Sequence, residues 1–252
     1  MNKFIDNWNG GKIESMFKFE KNKYINDFKF TSDEAKNAFY YGKWYLKVHG
    51  SCCAIDLETG TPYQRVNLPN KQIPKNNIRL EKGAQPSILF KNEKCTHNYY
   101  WKPFKNPTEA TKKERKLLDK VWEKSLNFIQ NNKIHDKKLL LVELCGLKFQ
   151  QTPGIYEDVV IIEHLKQEFN TILEDGTNIR DPIKVKKYLS NHAIEGFICR
   201  NIETNKRFKI RSNMMNTDKC LHDLLHRHWI KNKNLNGFEK YIDESDKPIV
   251  SQ

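Results

Sequence analysis

Lys43-Trp44-Tyr45-Leu46-Lys47-Val48-His49-Gly50-Ser51-Cys52-Cys53-Ala54-Ile55-Asp56 is the stretch that decides how the chain is read. Its pattern predicts a strand, a short turn at His49-Gly50-Ser51 and a second strand. Lys47 closes the first strand just before the turn. Gly50 has no Cβ, so the backbone there can come close to a ligand. An amine held in a partly desolvated pocket near other cations gives up its proton more easily and becomes a nucleophile. A lysine before a turn is also an ordinary surface feature, so Lys47 takes its meaning from the rest of the chain.

Outward from this stretch, Lys138 to Cys145 reads as an apolar strand and Asp158 to His164 as another. Ile194 to Asn201 and Arg207 to Arg211 read as a strand pair turning near Glu203-Thr204-Asn205. A helix is expected over 109–130, where Leu117, Leu118, Val121, Trp122, Leu126 and Ile129 recur at three-and-four spacing. Another starts at Asp181-Pro182, with Asp as cap and Pro in the first helical position. A third covers 216–230, with Leu221, Leu224, Leu225 and Trp229 on one face. Residues 67–83 and 91–107 are rich in Asn, Pro and Lys. Both read as surface loops, the second carrying Tyr99, Tyr100, Trp101 and Phe104. Residues 1–37 receive no assignment, and there is no internal repeat or low-complexity linker. Several strands with few helices between them give an α+β class, not a doubly wound parallel sheet.

The 252 residues suit one large domain, or a catalytic domain with a small appendage, and suffice to bury a core. A hydrophobic share of 38% with 12% aromatics excludes a disordered chain. Lys and Arg number 44 against 31 Asp and Glu, a net charge of +13. The isoelectric point is about 9.3, which points to a polyanionic partner. A composition biased to Lys and Asn gives a similar excess without any partner. The basic residues are spread along the chain, not gathered on one amphipathic helix, which disfavours a membrane surface. No stretch has the length of a transmembrane helix, and Met1-Asn2-Lys3-Phe4 opens no signal core. The six cysteines follow no regular spacing. Free thiols and an intracellular, cytoplasmic setting are therefore expected.

Three further segments carry chemistry. Glu143-Leu144-Cys145-Gly146 ends an apolar strand, and its carboxylate could bind a ribose hydroxyl or orient a lysine. Glu195-Gly196-Phe197-Ile198 again sets a carboxylate before a glycine and an apolar strand, a position that suits a divalent metal and its taste for hard oxygen ligands. In Lys206-Arg207-Phe208-Lys209-Ile210-Arg211, Lys209 and Arg211 alternate on a strand and share a face. Two cations on one face can neutralise a triphosphate and a leaving pyrophosphate. A solvated basic edge strand would look the same.

Taken in order, Lys47-x-His49-Gly50, Glu143-Leu144-x-Gly146, Glu195-Gly196-x-Ile198 and Lys209-x-Arg211 resemble motifs I, III, IV and V of the covalent nucleotidyltransferases, the superfamily of RNA ligases, DNA ligases and mRNA-capping enzymes. The resemblance covers roughly residues 40 to 213. His49 after the lysine is similar to RNA ligases of the bacteriophage and kinetoplastid type. Ser51-Cys52-Cys53 and the long loop before the helix resemble the small stand-alone 5′-to-3′ RNA ligases of animals and their relatives.

The resemblance implies an ATP-dependent RNA ligase that joins 5′-phosphate and 3′-hydroxyl RNA ends, with Mg2+ or Mn2+ as the divalent ion. Lys47 would attack the α-phosphate of ATP and carry AMP as a phosphoramidate. Arg65 would contact the phosphate end of the RNA or the ribose, with Arg79 as a rival. Glu143 would bind the ribose, Glu195 the metal, and Lys209 and Arg211 the α-phosphate and leaving group. Arg211 stands where the family often has a second lysine; it keeps the charge and adds a fork of donors. Phe197, Tyr156 and Ile162 are the candidates to stack on adenine. Tyr99-Tyr100-Trp101 could stack on bases near a strand end. The implied fold is the nucleotidyltransferase one over 1–213, antiparallel sheets forming a nucleotide cleft, followed by a short helical extension over 214–252. About 40 residues after Arg211 are too few for the OB domain that DNA ligases and capping enzymes carry. A capping-type guanylyltransferase and a non-catalytic RNA-binding relative are the alternatives. No stable protein partner is expected.

Cys220, His222, His226 and His228 crowd the last helix, but Cys220 cannot share a face with all three histidines and no second cysteine pair completes a zinc site. Contact between these histidines and RNA phosphate is the better expectation. Cys52 and Cys53 read as small residues pointing alternately in and out of a strand.

Overall fold

The computed structural model describes residues 13–21, 23–25, 27–56, 62–69, 85–86, 97–103, 116, 119–120, 139–146, 159–162, 167–215 and 221–232. It has the expected α+β composition. The elements are β1 (Glu14–Ser15), β2 (Phe19–Glu20), β3 (Lys23–Tyr24), α1 (Asp33–Tyr41), β4 (Lys43–Lys47), β5 (Ser51–Asp56), β6 (Pro62–Pro69) and β7 (Gln85–Pro86). They continue with β8 (His97–Pro103), β9 (Leu139–Cys145), β10 (Val159–Ile162), α2 (Pro182–Asn191), β11 (Gly196–Arg200), β12 (Arg207–Arg211), a 3-10 turn (Ser212–Met214) and α3 (Leu221–Asn232). The helix expected over 109–130 falls mostly outside the described residues; Lys116, Asp119 and Lys120 within it are helical. Arg79, Tyr156 and Cys220 lie outside them as well. Among the described residues no helix is long and apolar enough to cross a membrane.

The chain forms two compact units. One holds six strands in the order β10-β9-β5-β6-β8-β7. Here the expectation of loops over 67–83 and 91–107 is corrected for residues 67–69 and 97–103; the rest of both stretches lies outside the described residues. β6 runs to Pro69, and β8 pairs with it antiparallel, setting Arg65 opposite Trp101, Val66 opposite Tyr100 and Asn67 opposite Tyr99. The aromatic triplet belongs to a strand because aromatic residues favour a pleated surface. Pro69 and Pro103 sit at strand ends, where a missing N–H costs little.

The other unit holds the four-stranded sheet β1-β12-β11-β4, the β2-β3 hairpin and helices α1, α2 and α3. β11 is central and antiparallel to both β4 and β12. One face of this sheet is its core. Trp44, Phe197, Cys199, Phe208 and Ile210 pack there with Ala35, Ala38 and Phe39 of α1 and Val185, Tyr188 and Leu189 of α2. Each of these strands thus sends alternate residues into that core.

The helices start where local chemistry allows. Ser32 caps α1 by accepting from the Ala35 N–H at 3.1 Å. Asp181 caps α2 by accepting from the N–H groups of Ile183 and Lys184, with Pro182 in the first helical position. The end of α1 is fixed by Arg180, whose guanidinium donates to the carbonyls of Phe39 at 2.9 Å and Gly42 at 2.8 Å. The Trp44 indole donates to the same Phe39 carbonyl at 3.0 Å. These bonds satisfy carbonyls that a helix end leaves open and set the start of β4, the strand that ends in Lys47.

Candidate active site

Register assembles the site. Gly196 of β11 pairs with Lys47 on one side and Arg211 on the other; Ile198 likewise pairs with Tyr45 and Lys209. Directly opposed residues in antiparallel strands point to the same face. Lys47, Gly196 and Arg211 therefore form one row, and Tyr45, Ile198 and Lys209 the next, on the face away from the core. The third row is Lys43, Arg200 and Arg207. Six of these nine positions are cations. Of the five site candidates in this unit, Lys47, Lys209 and Arg211 are brought to this face by register, and Glu195 joins them by its contact with Lys47.

Phe197 is not brought to this face. It is fully buried on the core side, its ring 5.1 Å from Trp44 and 4.9 Å from Phe169. The alternation that places Lys209 and Arg211 together excludes it. Ile198, 4% exposed, occupies the cationic face in its stead. The Ile162 backbone lies in β10, in the other unit.

Lys47 Nζ lies 2.6 Å from Glu195 Oε2, with the two side chains 17% and 16% exposed. The Glu195 backbone is held by Ser212: its carbonyl accepts from the Ser212 N–H at 2.9 Å and the Ser212 hydroxyl at 3.1 Å. β12 is steadied in turn by Tyr24. Its hydroxyl donates to the Lys209 carbonyl at 3.3 Å and accepts from the Arg211 N–H at 3.1 Å, where β1 has already ended. Lys209 is 8% exposed, and Arg211 Nε is buried without a hydrogen-bond partner within the chain. Buried guanidinium donors normally find acceptors, so the site holds unused capacity for an anion. Gly196 leaves no side chain between Lys47 and Arg211, two strand spacings or about 10 Å apart.

His49 follows Lys47 by two residues and meets two histidines of α3. Its ring centroid is 4.6 Å from that of His226 and 5.4 Å from that of His222. Burial pushes His49 down to about 4; Glu195 works against this, and His222, His226 and Lys47 work with it. For Glu195, burial works to raise the carboxyl, but Lys47, His49 and His222 outweigh it and hold it below its ordinary value. Glu195 is therefore ionised at neutral pH.

These shifts set a pH dependence of stability. Below pH 6.5 the unfolded chain takes up a proton at His49 that the folded chain refuses until about 4. Stability thus falls as the pH drops through that window, by about 2 kcal/mol after allowance for the part of the ring that meets solvent. Glu195 adds its loss further down, as the pH falls from 4.5 through its folded value. Urea unfolding at pH 7 and pH 4.5 measures the loss, and His49→Gln is expected to flatten it by that amount.

The two remaining candidates, Glu143 and Arg65, belong to the six-stranded sheet of the other unit. Glu143 of β9 pairs with Cys52, and Gln64 of β6 pairs with Cys53, which sets Arg65 beside Cys52. Glu143, Cys52 and Arg65 therefore share one row and one face, all half-buried. Cys53 is buried and points the other way. Cys52, Cys53, Cys145 and Cys199 are free thiols.

Among the described residues no group of three His, Cys, Asp or Glu side chains is placed to hold a metal ion. The single ionised carboxylate of Glu195 still fits magnesium, which binds through one or two carboxylates together with substrate phosphates and retained waters. No protein-family model matches the chain, and no curated protein matches it.

Proposed function

We propose that this chain is an ATP-dependent RNA ligase that works through a lysyl-AMP on Lys47. One observation carries this: a lysine amine 2.6 Å from an ionised, largely buried carboxylate, at the head of a sheet face that bears Lys209 and Arg211. The nucleophile must shed a proton, and the Glu195 carboxylate is an acceptor within direct reach. Lys47 Nζ then attacks the α-phosphorus of ATP. The P–N bond forms, the bond to the bridging oxygen breaks and pyrophosphate leaves. An oxygen of an RNA 5′-phosphate next attacks the same phosphorus and frees the amine. A 3′-hydroxyl finally attacks the activated 5′-phosphate, and AMP leaves.

Every step is an in-line displacement at phosphorus, so positioning and charge stabilisation supply the catalysis. Lys209 and Arg211 face the transferring phosphate, and Arg211 Nε gains the acceptor it lacks. A divalent ion, when bound at Glu195, would neutralise charge on phosphate oxygens. Glu143 and Arg65, on their shared row, are assigned to the ribose and to the RNA phosphate end. The net charge of +13 suits a phosphodiester substrate.

Incubation with α-labelled ATP or GTP, followed by a denaturing gel and then by addition of 5′-phosphorylated RNA, tests the proposal. Label from ATP that disappears into RNA is expected. Label from GTP alone would make the chain a guanylyltransferase. Glu195→Gln is expected to lower the rate of labelling by about 100-fold, the order found for removal of one preorganised charge.

A further inference from the structure

We propose that Tyr24 is a positioning residue for the nucleotide phosphates: it holds the backbone of Lys209 and Arg211 so that their side chains meet the phosphate under transfer. The proposal rests on the nucleotidyl transfer put forward above and adds a residue to it.

The need arises at the outer edge of β12. β1 pairs with it only through Glu14 and Ser15, opposite Phe208 and Lys209. Met16 adds one bond, from its N–H to the Lys209 carbonyl at 2.9 Å. β12 then runs on to Arg211. The two cations assigned to phosphate thus stand at the last paired residue and beyond it. Backbone groups at such an edge need other partners, or the strand end frays.

Tyr24 takes the place of the missing strand. After Met16 the chain passes into the β2-β3 hairpin, whose last residue is Tyr24. The Tyr24 hydroxyl accepts from the Arg211 N–H at 3.1 Å and donates to the Lys209 carbonyl at 3.3 Å. A neighbouring strand would offer the same pair of bonds, one accepted and one donated. The Ser15 hydroxyl donates to the same oxygen at 3.5 Å, which ties Tyr24 to the point where β1 stops. The ring is 1% exposed and meets Phe17 edge-on, with centroids 5.3 Å apart. Burial raises the phenol above its ordinary value, against the pull of Ser15 and Arg211, so at neutral pH it keeps the proton that it donates.

This brace is more than the fold requires, because Phe208 and Ile210 already fix β12 in the core. Its effect falls on the two cations. Lys209 is largely buried, and Arg211 Nε is buried without a hydrogen-bond partner within the chain. Side chains so enclosed have few rotamers with which to make up for a shifted backbone. A misplacement of about 1 Å at a reacting centre can cost about 100-fold in rate.

Tyr24→Phe removes the oxygen and keeps the ring. With saturating α-labelled ATP and magnesium, the end point of Lys47 labelling counts folded molecules and the rate constant reads the site. Tyr24→Phe is expected to reach the parent's end point with a rate constant lower by roughly tenfold or more. A role in stability alone would lower the end point and leave the rate constant. In an Arg211→Ala background the same substitution should cost severalfold less, because it acts through Arg211. A rate constant equal to the parent's, or a loss undiminished in the Arg211→Ala background, would overturn the proposal. Calorimetric titration with pyrophosphate separates the positioning role from the ligase function. A parent that forms no lysyl-AMP, yet binds pyrophosphate about tenfold more tightly than Tyr24→Phe, would discard the ligase function and leave the positioning role standing. Equal affinities in that case would overturn both.

Discussion

Lys47→Arg is expected to lose sealing of 5′-phosphorylated RNA by roughly 10^4-fold or more, the scale of removing a covalent nucleophile. The guanidinium preserves the charge beside Glu195 but stays protonated and cannot attack phosphorus. Lys47→Ala should fail equally, with a stability defect on top. It strips the cation from a carboxylate that is 16% exposed, at about 1–3 kcal/mol. The arginine variant separates these effects, because its fold is kept while its chemistry is lost. The proposed sequence of steps makes a second demand. Joining a pre-adenylated RNA to a 3′-hydroxyl uses no lysine nucleophile, so Lys47→Arg should retain it to within about 100-fold. Sealing assays with the two kinds of RNA end measure the contrast. Equal losses on both would mean that Lys47 binds substrate and is not the AMP carrier.

Gly196→Ala is expected to be the most damaging small substitution in the unit that holds Lys47. Gly196 has φ +148, and a Cβ there would overlap the Ile210 carbonyl oxygen. The strained backbone and the clash together should cost about 3–5 kcal/mol, a large part of the stability of an ordinary domain. Gly176 provides the control. Its φ is +78, yet a Cβ at Gly176 meets nothing within 4 Å. Gly176→Ala should cost only about 1 kcal/mol, from φ alone. Urea unfolding followed by tryptophan fluorescence reads both. Equal costs would show that the close approach of β11 to β12 at Gly196 is not what requires the glycine.

Much of the site was legible because it obeys strand periodicity. Lys209 and Arg211 share a face by alternation, and the strand that Lys47 closes pairs with the strand that follows Glu195. The same rule applied to β11 puts Gly196, Ile198 and Arg200 on one face and Phe197 on the other. Phe197, which follows Glu195-Gly196 in the sequence, falls under this rule and belongs to the core. α1 was missed although Ser32-Asp33-Glu34 is a capped, acidic helix start; Phe39-Tyr40-Tyr41 at its other end favour strands when taken alone. β6 and β8 were missed because Asn, Pro and Lys outweighed the aromatic run in composition. Their pairing is a long-range fact that no local window holds. The histidines of α3 were visible as a cluster, but their meeting with His49 depends on where Trp229 and Leu225 dock.

The central claim is that AMP becomes attached to Lys47. Peptide mass spectrometry of the chain after incubation with ATP and magnesium tests it directly. The expected result is one AMP adduct, acid-labile and stable to base as a phosphoramidate is, on the peptide containing Lys47 and absent from Lys47→Arg. An unmodified Lys47 peptide, or an adduct on a different residue, would contradict the account.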